Sequence, residues 1–500
     1  MNDLLRVAAG TILTGFDGTT LEPQLRGLFS RVPFAGFVLF ARNTPDLAAC
    51  RALTDELCEI AWRPILAIDA EGGRVARFAS GAEILPPAMA LGAVQSVSLA
   101  RAAGEAMGFD LARAGLTVDF APVLDLALDR ANTVIGTRSF GAGPQQVAEL
   151  ASAFASGLRA YGITPVFKHF PGHGATHGDS HLELPFVDAS RETLAARDFA
   201  PFAAVADVAD AMMTAHVVVR AIDATRPATL SPLLLEGVLR EEIGFRGVCF
   251  TDCMQMQAVA AGPGTVPAVV AAIAAGADCA LVSHDPYLAA EAADELVRAV
   301  ERGDLARERL EVAYARTSRL RRLRDVQPLD GHAPHPGIGR RIAARALTVV
   351  AGVAHADPTA SIVVSFEAAT EEGAQGRHER HTSLRSQAPV LEELLVPLDP
   401  GDADVDRMLG ALHASRRRAI VLARRAHVYP AQARAIGRIL ELQPDALVIS
   451  LREPFDIPLL RAARHLLAAY GDDAASIGGI ADVIFGDGGA PGVLPVALDG

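Results

Sequence analysis

Eight short apolar runs, each ending in polar residues and followed by an Ala-, Arg- and Glu-rich segment, recur through the first 320 residues. The runs have the length of buried strands and the intervening segments have helical composition, so the alternation predicts repeated βα units. The predicted strands are 11–13, 36–40, 65–68, 117–120, 164–167, 211–214, 248–251 and 279–282. Eight such units predict an α/β fold with an N-terminal (β/α)8 TIM-type barrel.

Charged or imidazole side chains follow five of these predicted strands. They are Asp69, Lys168, His216, Asp252 and His284. A lone residue of this kind is more often a helix N-cap or a hydrogen-bonded core histidine. Because barrel enzymes carry their catalytic groups at the carboxyl ends of the strands, five equivalent positions favour an active site at that end.

The longest polar motif follows the predicted strand 164–167 and contains a histidine at every fourth position, at 169, 173, 177 and 181. On a helix this spacing would place four imidazoles on one face and indicate a metal site. Proline at 171 and glycines at 172, 174 and 178 interrupt every turn of such a helix, so a loop is predicted instead. A loop rich in glycine, imidazole and charge after a buried strand is typical of catalytic loops, and an ordinary polar surface loop is the alternative.

Composition excludes several classes of function. The formal net charge of -13 argues against a nucleic-acid partner, which would require concentrated Lys and Arg. The five cysteines are widely spread without a CxxC pair, so neither a disulfide framework nor a zinc site is indicated. Since no signal-peptide pattern and no apolar stretch of about 20 residues is present, no membrane association and a cytoplasmic location are expected.

The chain of 500 residues exceeds what one hydrophobic core usually supports, so more than one domain is expected. A Pro- and Gly-rich stretch places a linker at 326–339, between a barrel domain at 1–325 and a second α/β domain at 340–500. In the second domain, strands are predicted at 362–366, 419–423, 446–451, 466–470 and 483–485, and a helix at 430–442. Their uninterrupted apolar runs indicate a mainly parallel sheet covered on both faces. The polar segment 371–381 is either a solvated loop or one that reaches back over the barrel mouth.

The sequence KHFPGHG at 168–174, followed by DSH at 179–181, resembles the signature of the β-N-acetylglucosaminidases of glycoside hydrolase family 3. Supporting motifs occur in the order of the family: GFVLF and RN within 36–43, DAEGGRVAR at 69–77, DFAPVLD at 119–125, RSF at 138–140, PATLS at 227–231 and GVCFTD at 247–252. The resemblance covers roughly residues 10–290 and continues more sparsely to the end. It implies a barrel followed by a smaller α/β sandwich domain, with neither a cofactor nor a metal.

The resemblance also implies the catalytic residues. Asp252 matches the nucleophile that forms a covalent glycosyl-enzyme during hydrolysis with retention, although capping of the next helix is an alternative role. The subgroup uses a His–Asp dyad in place of a carboxylic acid. His181 is thus expected to act as general acid and then as general base, and Asp179 to orient the imidazole and favour its protonated form.

For the hydroxyls of the non-reducing sugar, the resemblance points to Asp69, Arg77, Arg138, Lys168 and His169. Asp125 is a weaker candidate, the Glu71–Arg74 turn is interpreted as structural, and His216 and His284 could line the pocket or be structural. Three positions depart from the family pattern, which usually has an acid at each: Thr137, Ala175 and Cys253.

The expected function is that of an exo-acting, retaining β-N-acetylhexosaminidase. It would cleave terminal β-linked N-acetylglucosamine from cell-wall (peptidoglycan) fragments, so its partner would be a small carbohydrate. The sequence does not determine the oligomeric state. The first alternative is a β-N-acetylglucosaminide phosphorylase of the same family, because a neutral histidine does not repel phosphate. A metal-dependent hydrolase built on the histidine cluster is a remote alternative, which activity in the presence of a chelator would exclude. A non-catalytic sugar-binding protein fits less well, because Asp252, Asp179 and His181 are all present.

Overall fold

The computed structural model describes residues 3–176, 184–260, 262–322, 332–367 and 383–498. Ten strands lie in the N-terminal part: β1 (Ile12–Thr14), β2 (Gly36–Leu39), β3 (Ile65–Ile68), β4 (Val118–Asp119), β5 (Thr164–Phe170), β6 (Phe186–Val187), β7 (Ala211–Thr214), β8 (Val218–Val219), β9 (Val248–Cys253) and β10 (Cys279–Val282). All except β6 and β8 close into a parallel barrel in the order β1-β10-β9-β7-β5-β4-β3-β2. The predicted barrel and its eight strands are therefore confirmed, with strand ends within three residues of the prediction.

The barrel strands are buried on both of their faces, which explains their uninterrupted apolar sequences. Inward-pointing residues such as Val38, Phe120 and Phe250 form one core cluster, and the Phe120 and Phe250 rings lie 5.6 Å apart in an edge-to-face arrangement. Alternate residues such as Phe37 and Ile68 point outward and belong to the larger core with the surrounding helices. Because side chains fill the barrel interior, a ligand can enter only at the mouth formed by the strand ends.

Helices surround the barrel: α1 (Asp3–Ala9), α2 (Pro23–Arg31), α3 (Leu47–Ile60), α4 (Ala88–Val94), α5 (Val97–Arg113), α6 (Pro144–Ala160), α7 (Arg191–Ala196), α8 (Ala200–Val205), α9 (Gln257–Ala260), α10 (Thr265–Ala275), α11 (Pro286–Arg302) and α12 (Arg307–Arg322). A π-helical segment, Leu233–Glu242, lies between β8 and β9. Helices α5 and α6 pack closely through glycine, since a Cβ atom at Gly104 would lie 2.0 Å from the carbonyl oxygen of Phe154. Within the described ranges, no helix combines the length and apolarity that crossing a membrane requires.

The second domain is built on a six-stranded sheet: β11 (Thr348–Ala351), β12 (Ser361–Glu367), β13 (Glu392–Pro397), β14 (Arg418–Ala423), β15 (Leu447–Ser450) and β16 (His465–Ala468). Its order is β11-β16-β15-β14-β12-β13, and only β11 runs antiparallel to its neighbour. Its helices are α13 (Ile338–Ala346), α14 (Asp402–Ser415), α15 (Pro430–Leu442), α16 (Ile457–Leu460) and α17 (Ala474–Ile484). The mainly parallel sheet and the helix predicted at 430–442 are confirmed.

One predicted element of the second domain is wrong. Residues 483–485 form the end of α17 and the residue after it, not a strand. This helix is buried on nearly all sides, so it lacks the polar face that would have indicated helical periodicity. Of the predicted linker at 326–339, residues 326–331 lie outside the described residues, and the last two residues are the first two of α13. The linker stays a prediction. The same holds for the predicted loop at 371–381.

Candidate active site

A cavity of about 390 Å³ opens at the carboxyl ends of the barrel strands. Asp69, Lys168, Asp252 and His284 line it, as their positions after predicted strands suggested. His216 is not among the lining residues. All described residues that line the cavity lie between Val38 and His284, so the barrel forms its wall.

A buried cluster of alternating charges forms one side of the cavity. The Lys168 Nζ atom lies 2.7 Å from Asp69 Oδ1 and 2.5 Å from Glu71 Oε1. Arg138 binds Glu71 through two parallel hydrogen bonds, from Nε to Oε2 and from Nη2 to Oε1, each 2.8 Å long. This bidentate geometry fixes the guanidinium plane as well as its position.

The cluster is charged at neutral pH. Burial opposes ionisation of each group, but the neighbouring opposite charges outweigh it. The carboxylates of Asp69 and Glu71 raise the pKa of Lys168 above its ordinary value. Lys168 and Arg77 lower the pKa of Asp69, and Arg138 and Lys168 lower that of Glu71. Fixed donors and acceptors of this kind suit recognition of the hydroxyl groups of a sugar.

Arg77 and His169 complete this side of the cavity. The Arg77 Nη2 atom lies 3.3 Å from Asp69 Oδ2, and no described residue accepts a hydrogen bond from its buried Nε. The His169 Nδ1 atom lies 2.6 Å from Asp125 Oδ2, and the Nε2 atom lies 3.5 Å from Arg138 Nη2. Since a guanidinium can only donate, this arrangement favours the tautomer in which Nδ1–H donates to Asp125. All five predicted sugar-binding residues therefore line one cavity.

Asp125 holds the end of β5 and the start of the loop that follows it. One of its carboxylate oxygens accepts the His169 N–H at 3.1 Å, and the other accepts the His173 N–H at 2.6 Å. Asp125 is buried and does not line the cavity, so its contacts are with the loop and not with the cavity space. His173 does line it, and burial lowers the pKa of His173 to about 4, which keeps this imidazole neutral.

Asp252 lies at the end of β9, and its Oδ1 atom accepts the Cys253 N–H at 2.7 Å. The Cys253 carbonyl oxygen is 2.9 Å from His216 Nε2, while His216 Nδ1 lies 2.8 Å from Thr229 Oγ1. The sequence left open whether His216 lines the pocket or is structural. Its role is structural, since it holds the backbone beside Asp252. His284 has the other role and lines the cavity.

Asp179 and His181, the predicted acid/base dyad, fall within 177–183 and lie outside the described residues. His177 lies there as well, so two of the four histidines of the possible metal site are also outside them. In the part of the chain that the structure describes, no three His, Cys, Asp or Glu side chains form a group that could hold a metal ion.

Glu71 was not predicted as a site residue, although it contacts both Arg138 and Lys168 and lines the cavity. The paired glycines after it had suggested a structural turn. One signal was available: Asp69 and Glu71 are two residues apart, a spacing that places side chains on the same side of an extended chain.

Known proteins resemble this chain in sequence and in fold. Residues 19–320 match the model of the glycosyl hydrolase family 3 N-terminal domain. A β-hexosaminidase from Nitrosomonas eutropha is 36% identical over 332 residues, which are 65% of this chain and 91% of the relative. The structure of a glycoside hydrolase family 3 β-N-acetylglucosaminidase from Paenibacillus sp. str. FPU-7 aligns with a TM-score of 0.91 and 32% identity, covering 100% of this chain and 99% of that one. NagZ from Neisseria gonorrhoeae, solved with N-trifluoroacetyl-D-glucosamine, aligns at 33% identity and a TM-score of 0.54, covering 62% of this chain and 98% of its own.

Proposed function

Because the chain belongs to glycosyl hydrolase family 3, we propose that it is an exo-acting, retaining β-N-acetylhexosaminidase that releases terminal β-linked N-acetylglucosamine. The observation that carries the proposal is the joint position of Asp252 and the charged cluster around Lys168 in one cavity. Barrel side chains such as Phe120 and Met213 close the inner end of this cavity. A polysaccharide chain cannot pass through a closed end, which supports attack on a terminal sugar.

In the proposed mechanism, Asp69, Arg77, Arg138, Lys168 and His169 bind the hydroxyls of the non-reducing sugar. The Asp252 carboxylate attacks the anomeric carbon and forms an ester while the glycosidic C–O bond breaks. His181, oriented by Asp179, gives its proton to the departing oxygen. It then takes a proton from water, whose oxygen attacks the anomeric carbon, releases Asp252 and restores the original configuration.

We further propose that the substrates are peptidoglycan fragments and that turnover takes place in the cytoplasm. The relatives named β-hexosaminidase and β-N-acetylglucosaminidase support N-acetylglucosamine as the sugar that is released. The peptidoglycan origin of the substrate and the cytoplasmic location rest on the sequence resemblance.

The test compares an aryl N-acetyl-β-glucosaminide with the corresponding β-glucoside, each with and without phosphate. We expect strong preference for the acetamido sugar, no dependence on phosphate and a released sugar that keeps the β configuration. The Asp252→Asn variant should lose activity by several orders of magnitude, because an amide cannot form the glycosyl ester.

The matched control for this variant is Asp304→Asn, an exposed aspartate on the barrel surface. Near-normal activity of Asp252→Asn would remove the nucleophile assignment, and equal rates on the two sugars would remove the substrate assignment. Phosphate-dependent release of N-acetylglucosamine 1-phosphate would replace the hydrolase with the phosphorylase.

A further inference from the structure

Asn132 lies in the segment that leads from β4 to Arg138, and the oxygen of its side-chain amide holds that segment. The Oδ1 atom accepts the backbone N–H groups of Val134 and Ile135, each at 3.1 Å. The carbonyl oxygens of the same two residues accept from Arg138, that of Val134 from Nη1 at 3.2 Å and that of Ile135 from the backbone N–H at 2.9 Å. Asn132 therefore fixes the backbone against which the Arg138 guanidinium is placed.

The nitrogen of the same amide holds the loop that follows β5. The Nδ2 atom donates to the His173 carbonyl oxygen at 2.7 Å and to Thr176 Oγ1 at 3.3 Å. The Thr176 Oγ1 atom lies 2.9 Å from the His173 carbonyl oxygen and 2.9 Å from His173 Nδ1. One half-buried side chain thus connects the segment that carries Arg138 with the start of the loop after β5.

The neighbours of the amide determine its orientation. Backbone N–H groups can only donate and a carbonyl oxygen can only accept, so Oδ1 must face Val134 and Ile135 while Nδ2 faces His173. Aspartate at position 132 would keep the acceptor and lose the donor, whereas alanine would lose both. The two ends of this side chain can therefore be tested separately.

The loop start limits the position of the proposed acid/base dyad. Asp179 and His181 follow Thr176 in the chain by three and five residues. Because the backbone is continuous and each residue spans at most about 3.6 Å, a shift of Thr176 is passed to both. Misplacing a catalytic group by about 1 Å can slow a reaction by about 10²-fold.

We propose that Asn132 is a positioning residue that couples sugar binding to proton transfer. Its Oδ1 atom holds the segment from which Arg138 binds the sugar, and its Nδ2 atom holds the loop that leads to His181. Asn132 is not among the residues that line the cavity, so it acts through these two segments. The inference rests on the proposed function, because it relies on the roles of Arg138 and His181 described there.

The experiment measures kcat/KM for aryl N-acetyl-β-glucosaminides whose leaving groups range from dinitrophenol to phenol. Asn132→Asp should slow the phenyl glycoside by about 10²-fold and the dinitrophenyl glycoside by less than about 3-fold, because only the phenolate needs a proton. Thr176→Val removes the hydroxyl from the other side of the contact and should show a weaker form of this pattern. It adds no charge and leaves Asn132 intact, so it keeps the test valid if Asn132→Asp does not fold.

The inhibition constant of N-acetylglucosamine reports the other end of the amide. Asn132→Asp keeps the acceptor for Val134 and Ile135, so this constant should stay within about 2-fold of the wild-type value. Asn132→Ala removes the acceptor as well and should raise the constant by about 3- to 10-fold, as for a lost hydrogen bond. A merely structural role would not separate the leaving-group dependence from sugar binding in this way.

Gln146→Glu is the matched control. The Gln146 Nε2 atom donates to the Gly92 carbonyl oxygen at 3.0 Å, and the residue is half-buried and does not line the cavity. This variant also exchanges an amide donor for a carboxylate. Both the leaving-group dependence and the inhibition constant should keep their wild-type values.

His181→Ala provides the reference for a lost proton donor. If it slows the phenyl glycoside far more than the dinitrophenyl glycoside while Asn132→Asp does not, only this inference is overturned. A loss in Asn132→Asp that is equal for all leaving groups and comes with a raised inhibition constant would also overturn it, since Asn132 would then serve the sugar side alone. If His181→Ala shows no dependence on the leaving group, the acid/base assignment falls and the inference with it, and no turnover by the wild type would reject the proposed function itself.

Discussion

Replacing Glu71 by Gln should destabilise the barrel and weaken substrate binding together. The Glu71 side chain is 4% exposed and forms two hydrogen bonds with Arg138 and one ion pair with Lys168. Glutamine has almost the same volume, so the change removes charge without opening a cavity. Lys168 keeps Asp69 as its partner, but Arg138 loses the one carboxylate with which it forms an ion pair among the described residues.

The magnitude follows from the burial of Arg138. Removing one partner of a buried ion pair costs about 3–5 kcal/mol, because the remaining charge stays desolvated without compensation. We therefore expect the free energy of unfolding to fall by about this amount. A rise in KM should accompany it, because Arg138 and Lys168 lose a shared anchor.

The assay is urea unfolding followed by far-UV circular dichroism, since the single tryptophan, Trp62, is 70% exposed and a poor reporter of the core. Glu311→Gln is the matched control, because Glu311 and Arg307 form a pair of the same 2.8 Å length on the surface. Its loss should stay below about 0.5 kcal/mol. Equal losses for the two variants would refute the reasoning from burial. In the double variant Glu71→Leu/Arg138→Met, much of the stability should return without the activity.

Two further predictions concern proton transfer and pH. His181→Ala should slow hydrolysis by about 10²–10⁴-fold for leaving groups that need protonation and by less for nitrophenyl glycosides, and azide should partly restore the rate. A loss of rate that does not depend on the pKa of the leaving group would contradict the acid/base role. Asp179→Ala should show a milder form of the same pattern. Burial raises the pKa of Asp119 well above its usual range, so the folded protein retains a proton that the unfolded chain has already released once the pH exceeds about 4. Asp119→Asn should therefore stabilise the protein at about pH 8 but not near pH 4, as measured by urea unfolding, and an equal effect at both pH values would contradict this.

The sequence predicted the barrel well because each barrel strand is buried on both faces and gives a plain apolar run. Two kinds of element were predicted poorly: edge strands, which lack this burial, and a helix buried on nearly all sides, whose sequence resembles that of a buried strand. The edge strands β11 and β13 were not predicted, since many of their side chains are half-buried or exposed. Residues 483–485 were assigned to a strand because α17, buried on nearly all sides, has no polar face.

In the candidate site, too, some features could be predicted from the sequence and others could not. Parallel strands end at one mouth, so Asp69, Lys168 and Asp252 could be placed together from their positions after predicted strands. The pairing of Glu71 with Arg138 joins residues 67 positions apart, and only the closed barrel brings them together. The structural role of His216 was undecidable for the same reason, because its contact with Cys253 spans two neighbouring strand ends.

The turn that carries Arg138 shows how the second domain can influence a cavity that none of its described residues lines. Gly136 has a φ of +45°, and a Cβ atom there would lie 2.4 Å from Glu453 Oε1 of the second domain. Farther along, the Ala142 N–H donates to the Pro495 carbonyl oxygen at 3.0 Å. The family usually has an acid at position 137, where this chain has a buried threonine. The carboxylate of Glu453, from the second domain, lies beside the preceding residue, Gly136. Since Arg138 must keep its plane to bind Glu71 through two bonds, this packing connects the second domain to the sugar-binding side of the cavity.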